Sequence, residues 1–380
     1  MRKTITILGS TGTIGCNTLK VIKYAPHDFE ITALVGGENV ELLAKQAIEF
    51  RPKIAVISNP NHYAKLKELL SGTGIECASG DEAVLAASAI PADITMSAIV
   101  GVAGLKPTLT AIKHSKTIAM ANKECLVCAG DLMQQEVTKY GAKLIPVDSE
   151  HNAIFQLAPL ANDWKNIEQV TITASGGPFR TFSLEQMQSV TPAQAVAHPN
   201  WNMGVKISVD SATLMNKGLE LIEAFYLFPL KYTQLNAIIH PQSIIHALVS
   251  MIDGSVLSQL SQPDMCVPIA NALAYPSRMN TKVKKLNLEE IGKLTFESID
   301  EARFPAIKLA KEAMKTGGNA PTILNAANEI AVEKFLRGEI AFLDIARIVE
   351  KTLNKLTNQT LHTIEEVLEC DRLAREISVS

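Results

Sequence analysis

The amino-acid sequence predicts an α/β protein: an N-terminal doubly wound parallel sheet, then an α+β domain, then a small C-terminal helical domain. Two observations carry this prediction. Short apolar runs alternate with helical patterns through the first 148 residues, and the first run ends in a glycine-rich loop. Repeated β–α units of this kind favour a parallel sheet wound in both directions.

The strands are predicted from the apolar runs. The first run, Thr4 to Leu8, is β-rich and precedes the glycine loop and a helical pattern. Ligands of such sheets bind at the carboxyl ends of the strands, where Gly9, Asn122 and Asp148 fall. The further strands are predicted at 31–35, 54–58, 93–98, 117–119 and 143–147, with an amphipathic helix over 40–48.

The glycine loop has the spacing Gly-x-x-Gly-x-x-Gly, at Gly9, Gly12 and Gly15. Glycines at these positions let the backbone approach a pyrophosphate, and the N–H groups at the helix start bind it. The spacing differs from the commonest dinucleotide pattern, so a plain βα turn is the alternative. We interpret the loop as part of a Rossmann-like dinucleotide-binding domain.

The end of the second strand bears on the choice of cofactor. An acid there bonds the ribose 2′-hydroxyl of NAD and repels the additional phosphate of NADP. Gly36 and Gly37 place no acid at the tip, and Glu38 follows one step later. Glu38 lies in the cofactor site or opens the next helix, where negative charge suits the helix dipole; we favour the helix start.

Three acids suggest a metal site. If residues 143–150 stay extended, the two-residue period directs Asp148 and Glu150 to one side. Glu220 lies on a later helical pattern. Carboxylates about 4 Å apart repel by roughly 4 kcal/mol at an effective dielectric near 20, so converging acids need a cation or protons, and oxygen ligands favour Mg²⁺ or Mn²⁺. The alternative is three unrelated surface acids.

A second group of residues suggests a phosphate site. A strand-like run stops at Ser175, in the sequence Ser-Gly-Gly-Pro, which suits either a phosphate-holding turn or a simple strand end. Ser211 leads into a helical pattern on which Asn216 and Lys217 lie four and three residues before Glu220, so all three side chains can reach one pocket. Hydroxyl, amide and ammonium donors suit an anionic group. An exposed Lys217–Glu220 pair is the alternative.

The stretch 198–204, with the sequence His-Pro-Asn-Trp-Asn-Met-Gly, lacks periodicity. It combines a titratable ring, an indole and a terminal glycine. This composition suits a flap over a ligand, and an ordinary surface loop is the alternative.

Composition sets wider limits. The 380 residues carry a formal charge of −3, which gives no reason to expect a nucleic-acid or membrane partner. Six cysteines in a chain of this length favour free thiols in a reducing compartment, and Cys125 and Cys128 are expected to be core thiols. The N-terminal residues lead directly into a core strand, so a cytoplasmic location is expected.

The domain bounds are predicted at 1–148 for dinucleotide binding, 149–290 for the catalytic domain and 291–380 for the helical domain. The middle domain is expected to hold strands at 238–240 and a hairpin over 244–260. Asp253 and Gly254 are a favoured two-residue turn for that hairpin.

Several long segments together resemble the 1-deoxy-D-xylulose 5-phosphate reductoisomerase family: 122–124, 148–150, 174–180, 198–204 and 206–220. The similarity runs from the Gly9 loop to the Asn-Ala-Ala-Asn-Glu segment at 325–329. It implies conversion of 1-deoxy-D-xylulose 5-phosphate to 2-C-methyl-D-erythritol 4-phosphate in non-mevalonate isoprenoid biosynthesis. NADPH and Mg²⁺ or Mn²⁺ are the implied cofactors, and a homodimer is the implied assembly.

The resemblance also implies residue roles. The implied metal ligands are Asp148, Glu150 and Glu220, which with Lys123 and His198 form the implied catalytic group. The implied substrate contacts are Lys123, Ser149, Glu150, Ser175, His198, Trp201, Ser211, Asn216, Lys217, Glu220 and Met265. The implied cofactor contacts are Thr11, Gly12, Thr13, Ile14, Gly37, Glu38, Asn39, Asn122, Glu124 and Gly204.

Three positions depart from the family pattern. Glu38 stands where members often have Lys, which weakens the expectation of an NADPH preference. Val205 and Cys266 stand where Arg is frequent.

Two other functions share part of the pattern: a different NADP-dependent dehydrogenase acting on a small phosphorylated substrate, and a non-catalytic cofactor sensor. Neither requires three acids together with a phosphate-binding set.

Overall fold

The structure, a computed structural model, describes residues 2–197 and 204–379. The chain divides into two compact units with discontinuous bounds. Unit 1 comprises Met1–Cys125, Met133–Asn152 and Asp264–Lys284, and unit 2 comprises Leu126–Leu132, Ala153–Pro263 and Lys285–Ser380. The three-domain division with bounds after 148 and 290 stays a prediction.

Unit 1 alternates strands and helices, as the sequence predicts. Its strands are β1 (Lys3–Leu8), β2 (Phe29–Gly36), β3 (Ile54–Ile57), β4 (Glu76–Ser79), β5 (Ala92–Ser97), β6 (Ser115–Met120) and β7 (Lys143–Pro146). The helices up to residue 157 are α1 (Thr13–Ile22), α2 (Val40–Phe50), α3 (Tyr63–Leu69), α4 (Asp81–Ser88), α5 (Leu105–His114), α6 (Lys123–Tyr140) and α7 (Ser149–Leu157). The last two run from unit 1 into residues of unit 2.

The described strands of unit 1 form one seven-stranded sheet in the order β4-β3-β2-β1-β5-β6-β7, with every pair parallel. The winding direction reverses between β1 and β5, so the predicted doubly wound sheet is confirmed. Ile5, Ile7 and Leu34 are fully buried, because helices cover both faces of such a sheet. The crevice at the reversal, beyond the carboxyl ends of β1 and β5, is where these sheets bind ligands.

Unit 2 contains a mixed sheet and a set of helices. Its strands are β8 (Ile167–Ala174), β9 (Leu235–Ile239), β10 (Ile245–Met251) and β11 (Val256–Leu260). The remaining helices, of which α12 belongs to unit 1, are α8 (Leu184–Met187), α9 (Pro192–Val196), α10 (Val205–Thr213), α11 (Met215–Leu227), α12 (Cys266–Ala274), α13 (Leu288–Ile291), α14 (Ala306–Thr316), α15 (Ala320–Leu336), α16 (Asp344–Lys355) and α17 (Ile364–Val379). Short 3₁₀ turns lie at Pro60–His62, Val102–Gly104, Ala158–Ala161, Trp164–Asn166 and Tyr232–Gln234.

The described strands of unit 2 are ordered β11-β10-β8-β9, with β8 and β9 parallel and the other pairs antiparallel. The predicted hairpin is therefore confirmed. Its turn is longer than the predicted two residues, because Ile252 to Ser255 connect the strands and the Met251 N–H donates to the Ser255 carbonyl. Leu219, Ile222 and Ile172 belong to the apolar core of this unit.

The predicted fold class is confirmed: a doubly wound parallel sheet, an α+β region and a helical C-terminal region. All six cysteines are free thiols, and Cys125 and Cys128 are buried, as expected. Across the described residues, no helix combines the length and apolar character that crossing a membrane requires.

Candidate active site

The glycine loop after β1 has the conformation that close approach to a ligand requires. Gly9 has φ +89°, and a Cβ there would lie 2.5 Å from the carbonyl oxygen of Ala98, so only glycine fits. A Cβ on Gly15 would overlap the loop backbone at Gly9 and Ser10. Helix α1 then begins at Thr13 with Gly12 as its N-cap and no side-chain cap. The loop therefore leaves helix-start amides for an anion.

The end of β2 lies beside this loop. A Cβ on Gly36 would lie 3.1 Å from the Thr11 methyl group. Asn39 is the N-cap of α2, and its side chain accepts a hydrogen bond from the Leu42 N–H. Glu38 directly precedes this cap, and its carboxylate accepts a hydrogen bond of 2.7 Å from Asn59. Its favoured role at the helix start stays a prediction.

Helix α6 begins at Lys123, shortly after the end of β6, and Asn122 precedes it. Asn122 caps the helix by accepting from the Cys125 N–H, and its amide donates to the carbonyls of Ile99 and Gly101. This residue therefore ties the segment after β5 to the start of α6. All three side chains in the 122–124 segment are at least nine-tenths buried.

The segment Asp148-Ser149-Glu150 is not extended, so that assumption is wrong. Strand β7 ends at Pro146 and α7 begins at Ser149. The Asp148 carboxylate accepts from the Glu150 N–H at 3.2 Å, because a carboxylate before a helix satisfies an otherwise unpaired amide. The two acids are nevertheless neighbours, separated by one residue at the same strand end.

A lysine and a histidine side chain lie against Asp148. The Lys123 ammonium is 2.8 Å from one carboxylate oxygen, and His151 Nδ1 is 3.2 Å from the other. Ser149 donates to the Glu150 carboxylate at 3.0 Å. Asp148 and Glu150 are only partly exposed, so they are not ordinary surface acids. The sequence reasoning missed His151, although a histidine three residues after an acid at a helix start is a usable signal.

In unit 2, the turn after β8 packs on α10. Gly176 and Gly177 have φ of +87° and +66°, and the Gly177 N–H donates to the Ser175 hydroxyl at 3.3 Å. A Cβ on Gly177 would lie 2.6 Å from the Ser211 carbonyl oxygen and 2.9 Å from the Ala212 Cα. The structure therefore brings the Ser175 turn against the helix end that carries Ser211.

The predicted continuous helix after Ser211 is interrupted. Helix α10 ends at Thr213, Leu214 has φ +60°, and α11 begins at Met215. A left-handed backbone at leucine costs about 1–2 kcal/mol, which the surrounding packing must offset. The consequence is a sharp joint with Ser211 shortly before it and Asn216 shortly after it.

Helix α11 carries three of the predicted side chains on its first turns. Asn216 and Lys217 both donate to the Glu220 carboxylate. Lys217 is 5% exposed and Glu220 1%, so the alternative of an exposed ion pair is wrong. A buried carboxylate requires such partners, because removing an ion from water is costly.

Helix α10 is also anchored by a buried acid that the sequence reasoning missed. Asp210 is 1% exposed and receives the Lys206 ammonium at 2.8 Å and the Asn328 amide at 2.8 Å. Asn328 lies on α15, so this contact joins the two helices next to Ser211. The only sequence signal is the i, i+4 spacing of Lys206 and Asp210.

Some predicted residues lie at the edge of what is described. His198 and Trp201 fall outside the described residues, together with the rest of the predicted flap up to residue 203. Gly204 is the N-cap of α10, and Met265 precedes α12 as its N-cap.

Burial, reinforced by Asp264, raises the pKa of the Cys266 thiol to about 11, so this thiol is neutral at pH 7.

Three family models match successive parts of the chain. The model for 1-deoxy-D-xylulose 5-phosphate reductoisomerase matches residues 5–130, and the model for its C-terminal domain matches residues 144–228. A further model, for the DXP reductoisomerase C-terminal domain, matches residues 260–377.

Curated proteins match along nearly the whole chain. The 1-deoxy-D-xylulose 5-phosphate reductoisomerase of Rhodospirillum centenum is 50% identical over 376 residues, which cover 99% of this chain and 93% of that protein. The protein of the same name from Zymomonas mobilis is 50% identical over 374 residues, covering 98% and 96%.

Solved structures agree with these matches. The Zymomonas mobilis reductoisomerase in complex with NADPH has a TM-score of 0.94 at 49% identity, covering 100% of this chain and 98% of that one. A DOX-P reductoisomerase in complex with NADPH, fosmidomycin and magnesium has a TM-score of 0.93 at 43% identity, covering 99% and 97%.

Proposed function

The chain belongs to the 1-deoxy-D-xylulose 5-phosphate reductoisomerase family, and from this premise we propose that it converts 1-deoxy-D-xylulose 5-phosphate to 2-C-methyl-D-erythritol 4-phosphate. NADPH and a divalent metal ion, Mg²⁺ or Mn²⁺, are the proposed cofactors. Relatives of similar sequence and fold were solved with NADPH and magnesium, which supports this choice.

One observation carries the proposal: in unit 2, the turn at Ser175 packs against the helix end that carries Ser211, and both residues are proposed phosphate donors. The Ser175 turn packs on α10 at Ser211, and Asn216 and Lys217 follow the sharp joint at Leu214. Hydroxyl, amide and ammonium donors in one small region suit a phosphate dianion. A dehydrogenase of a substrate that lacks phosphate has no need of this set.

The metal ligands are proposed to be Asp148, Glu150 and Glu220. Support comes from the donor set, which consists of carboxylate oxygens, the ligands that Mg²⁺ and Mn²⁺ prefer. The Lys123 ammonium lies against Asp148 and the Lys217 ammonium against Glu220, so both places already accommodate positive charge. When bound, the metal ion supplies Lewis-acid polarisation of the substrate carbonyl.

The residues around the metal ligands orient the substrate. Lys123 donates to Asp148 and holds its carboxylate in one position, and Ser149 does the same for Glu150. Lys123, Ser149 and Glu150 are proposed to contact the reacting end of the phosphosugar. Held at both ends, the substrate rearranges to an aldehyde, whose reduction gives the product. Because the substrate is held in a fixed orientation, the entropic part of the activation free energy is lower.

NADPH, which supplies the hydride, is proposed to bind at the switch point of the sheet. The helix-start amides after Gly12 suit its pyrophosphate. The proposed contacts are Thr11, Gly12, Thr13, Ile14, Gly37, Glu38, Asn39, Asn122, Glu124 and Gly204. The role of His198 and Trp201 in closing over the substrate stays a prediction.

The test follows the nicotinamide absorbance of NADPH during incubation with 1-deoxy-D-xylulose 5-phosphate, with and without Mg²⁺, and identifies the product. We expect oxidation only when phosphosugar and metal are both present. Metal-independent oxidation of this or another phosphorylated substrate would point to a different dehydrogenase, and binding of NADPH without turnover to a cofactor sensor.

Glu220→Gln tests the metal assignment. We expect kcat/KM to fall at least 100-fold and Mn²⁺ binding, measured by calorimetry, to weaken at least tenfold, because one anionic ligand is lost. Glu312→Gln, on the exposed side of α14, is the matched control and leaves both quantities unchanged. Unchanged Mn²⁺ affinity in a folded Glu220→Gln protein would remove Glu220 from the ligand set.

A homodimer and a cytoplasmic location are proposed from the family resemblance. Sedimentation equilibrium tests the dimer directly. A chain mass near 41.1 kDa across the micromolar range, rather than twice that value, would refute it.

A further inference from the structure

The adenosine end of the proposed cofactor site carries an unusual charge pattern for NADPH. In unit 1, β1, β2 and β3 are neighbouring parallel strands, so the segments that follow them lie along one edge of the sheet. The Ser58 N–H donates to the Gly36 carbonyl at 2.8 Å, which joins the second and third of these segments. In doubly wound sheets this edge receives the adenosine ribose.

Glu38 is held at this edge by the segment after β3. Its carboxylate accepts from the Asn59 amide at 2.7 Å and lies 3.2 Å from His62 Nε2. Three-quarters of the side chain is exposed, so the carboxylate is accessible to a ligand. An acid in this place accepts hydrogen bonds from the ribose 2′-hydroxyl.

The three segments that follow β1, β2 and β3 contain no permanently charged basic side chain. Residues 9–16, 36–41 and 58–62 contain neither lysine nor arginine, and they contain the acids Glu38 and Glu41. His62 is their only basic side chain, and its partner is Glu38. A 2′-phosphate, which carries about two negative charges, is normally bound here by an arginine or lysine.

We propose that Glu38 is the specificity-determining residue of the cofactor site and that, through it, this enzyme accepts NADH as a second hydride donor beside NADPH. The inference rests on the proposed function, because it assigns the adenosine end of the same site. The Glu38 carboxylate accepts a hydrogen bond from the 2′-hydroxyl of NADH and repels the 2′-phosphate of NADPH. Asn59 and His62 position the carboxylate.

The size of the effect follows from Coulomb's law. A carboxylate about 5 Å from a phosphate dianion at the dielectric of water changes an affinity by about tenfold. Solvent and salt screen the exposed Glu38 carboxylate, so the change in affinity stays near this tenfold value, which is the smallest that the dielectric of water gives at this distance. Glu38 therefore reduces discrimination between the two cofactors without excluding NADPH.

Binding is measured by calorimetry with NADP⁺ and NAD⁺ in the absence of phosphosugar. We expect the two dissociation constants of the unmodified protein to differ by less than about 30-fold. Glu38→Gln should tighten NADP⁺ about tenfold and weaken NAD⁺, and Glu38→Lys should raise the preference for NADP⁺ above 100-fold. Glu41→Gln removes the same charge one helix turn away and should leave the ratio within twofold.

Steady-state rates with NADPH and NADH give the second readout, and the ratio of their kcat/KM values should follow the ratio of affinities. NAD⁺ binding more than about 30-fold weaker than NADP⁺ in the unmodified protein, or a Glu38→Gln ratio equal to that of Glu41→Gln, would overturn the proposal. Because the binding arm uses no phosphosugar, this failure is distinct from an absence of phosphosugar turnover, which would overturn the proposed function.

Discussion

Replacing Gly177 by alanine tests whether the turn after β8 is shaped by its contact with α10. Gly177 has φ +66°, and an added Cβ would lie 2.6 Å from the Ser211 carbonyl oxygen and 2.9 Å from the Ala212 Cα. Both neighbours are backbone atoms, which cannot rotate away as a flexible side chain does. The turn and the helix must therefore separate by several tenths of an ångström.

The loss of folding free energy caused by Gly177→Ala has two parts. The left-handed backbone disfavours alanine by about 1–2 kcal/mol, and forcing atoms into a packed contact costs about 1–3 kcal/mol more. Gly338 provides a matched control in the same unit, because it has φ +75° and nothing within 4 Å of the added Cβ. Gly338→Ala is expected to show only the first part.

Thermal unfolding of the two variants isolates the contact. At roughly 2–4 °C per kcal/mol, the Tm of Gly177→Ala should fall roughly 2–12 °C further than that of Gly338→Ala. Displacement of the Ser175 turn should also raise KM for the phosphosugar about tenfold, while Gly338→Ala leaves KM unchanged. Equal losses of Tm in the two variants, with equal KM values, would refute the reasoning.

Two further predictions concern titratable groups. Lys116, with help from Thr4, holds the pKa of the Asp93 carboxyl below its ordinary value of 3.8, so Asp93 stabilises the folded state above that pH and this contribution is lost as the pH falls below it. At pH 6, the urea midpoint of Asp93→Asn should therefore lie below that of the unmodified protein. A difference between the two midpoints that stays the same at pH 3 would contradict this prediction. Burial raises the pKa of the Cys370 thiol to about 11, so its alkylation rate should rise about tenfold per pH unit from pH 8 to pH 10. At pH 8, Cys370 should be alkylated more slowly than the half-buried Cys77, and equal labelling of the two thiols would count against this prediction.

Much of unit 1 could be predicted from local pattern. The strands at β2, β3, β5, β6 and β7 were each predicted within two residues of their ends, because a parallel strand covered on both faces is a continuous apolar run. Strand β4 (Glu76–Ser79) was missed. It lies at the edge of the sheet and has the sequence Glu-Cys-Ala-Ser, which offers no such run.

The candidate site was predicted in its residue types more accurately than in its geometry. Asp148 and Glu150 are neighbours as expected, yet a helix start rather than a strand sets their positions, because Asp148 accepts the Glu150 N–H. The break at Leu214 was not predicted, since leucine is a good helix former and nothing local marks a left-handed residue. Packing on both sides of the joint imposes that conformation.

Local pattern is sufficient to predict the alternating α/β order, the glycine loop and the chemical character of the site, because periodicity and glycine requirements act on neighbouring residues. Tertiary structure alone decided that Glu38 turns toward Asn59 and that Asp210 is buried against Asn328, 118 residues away in the chain. Such partners are selected by packing free energy and by the cost of leaving a buried charge unpaired, and neither quantity is a property of a short segment.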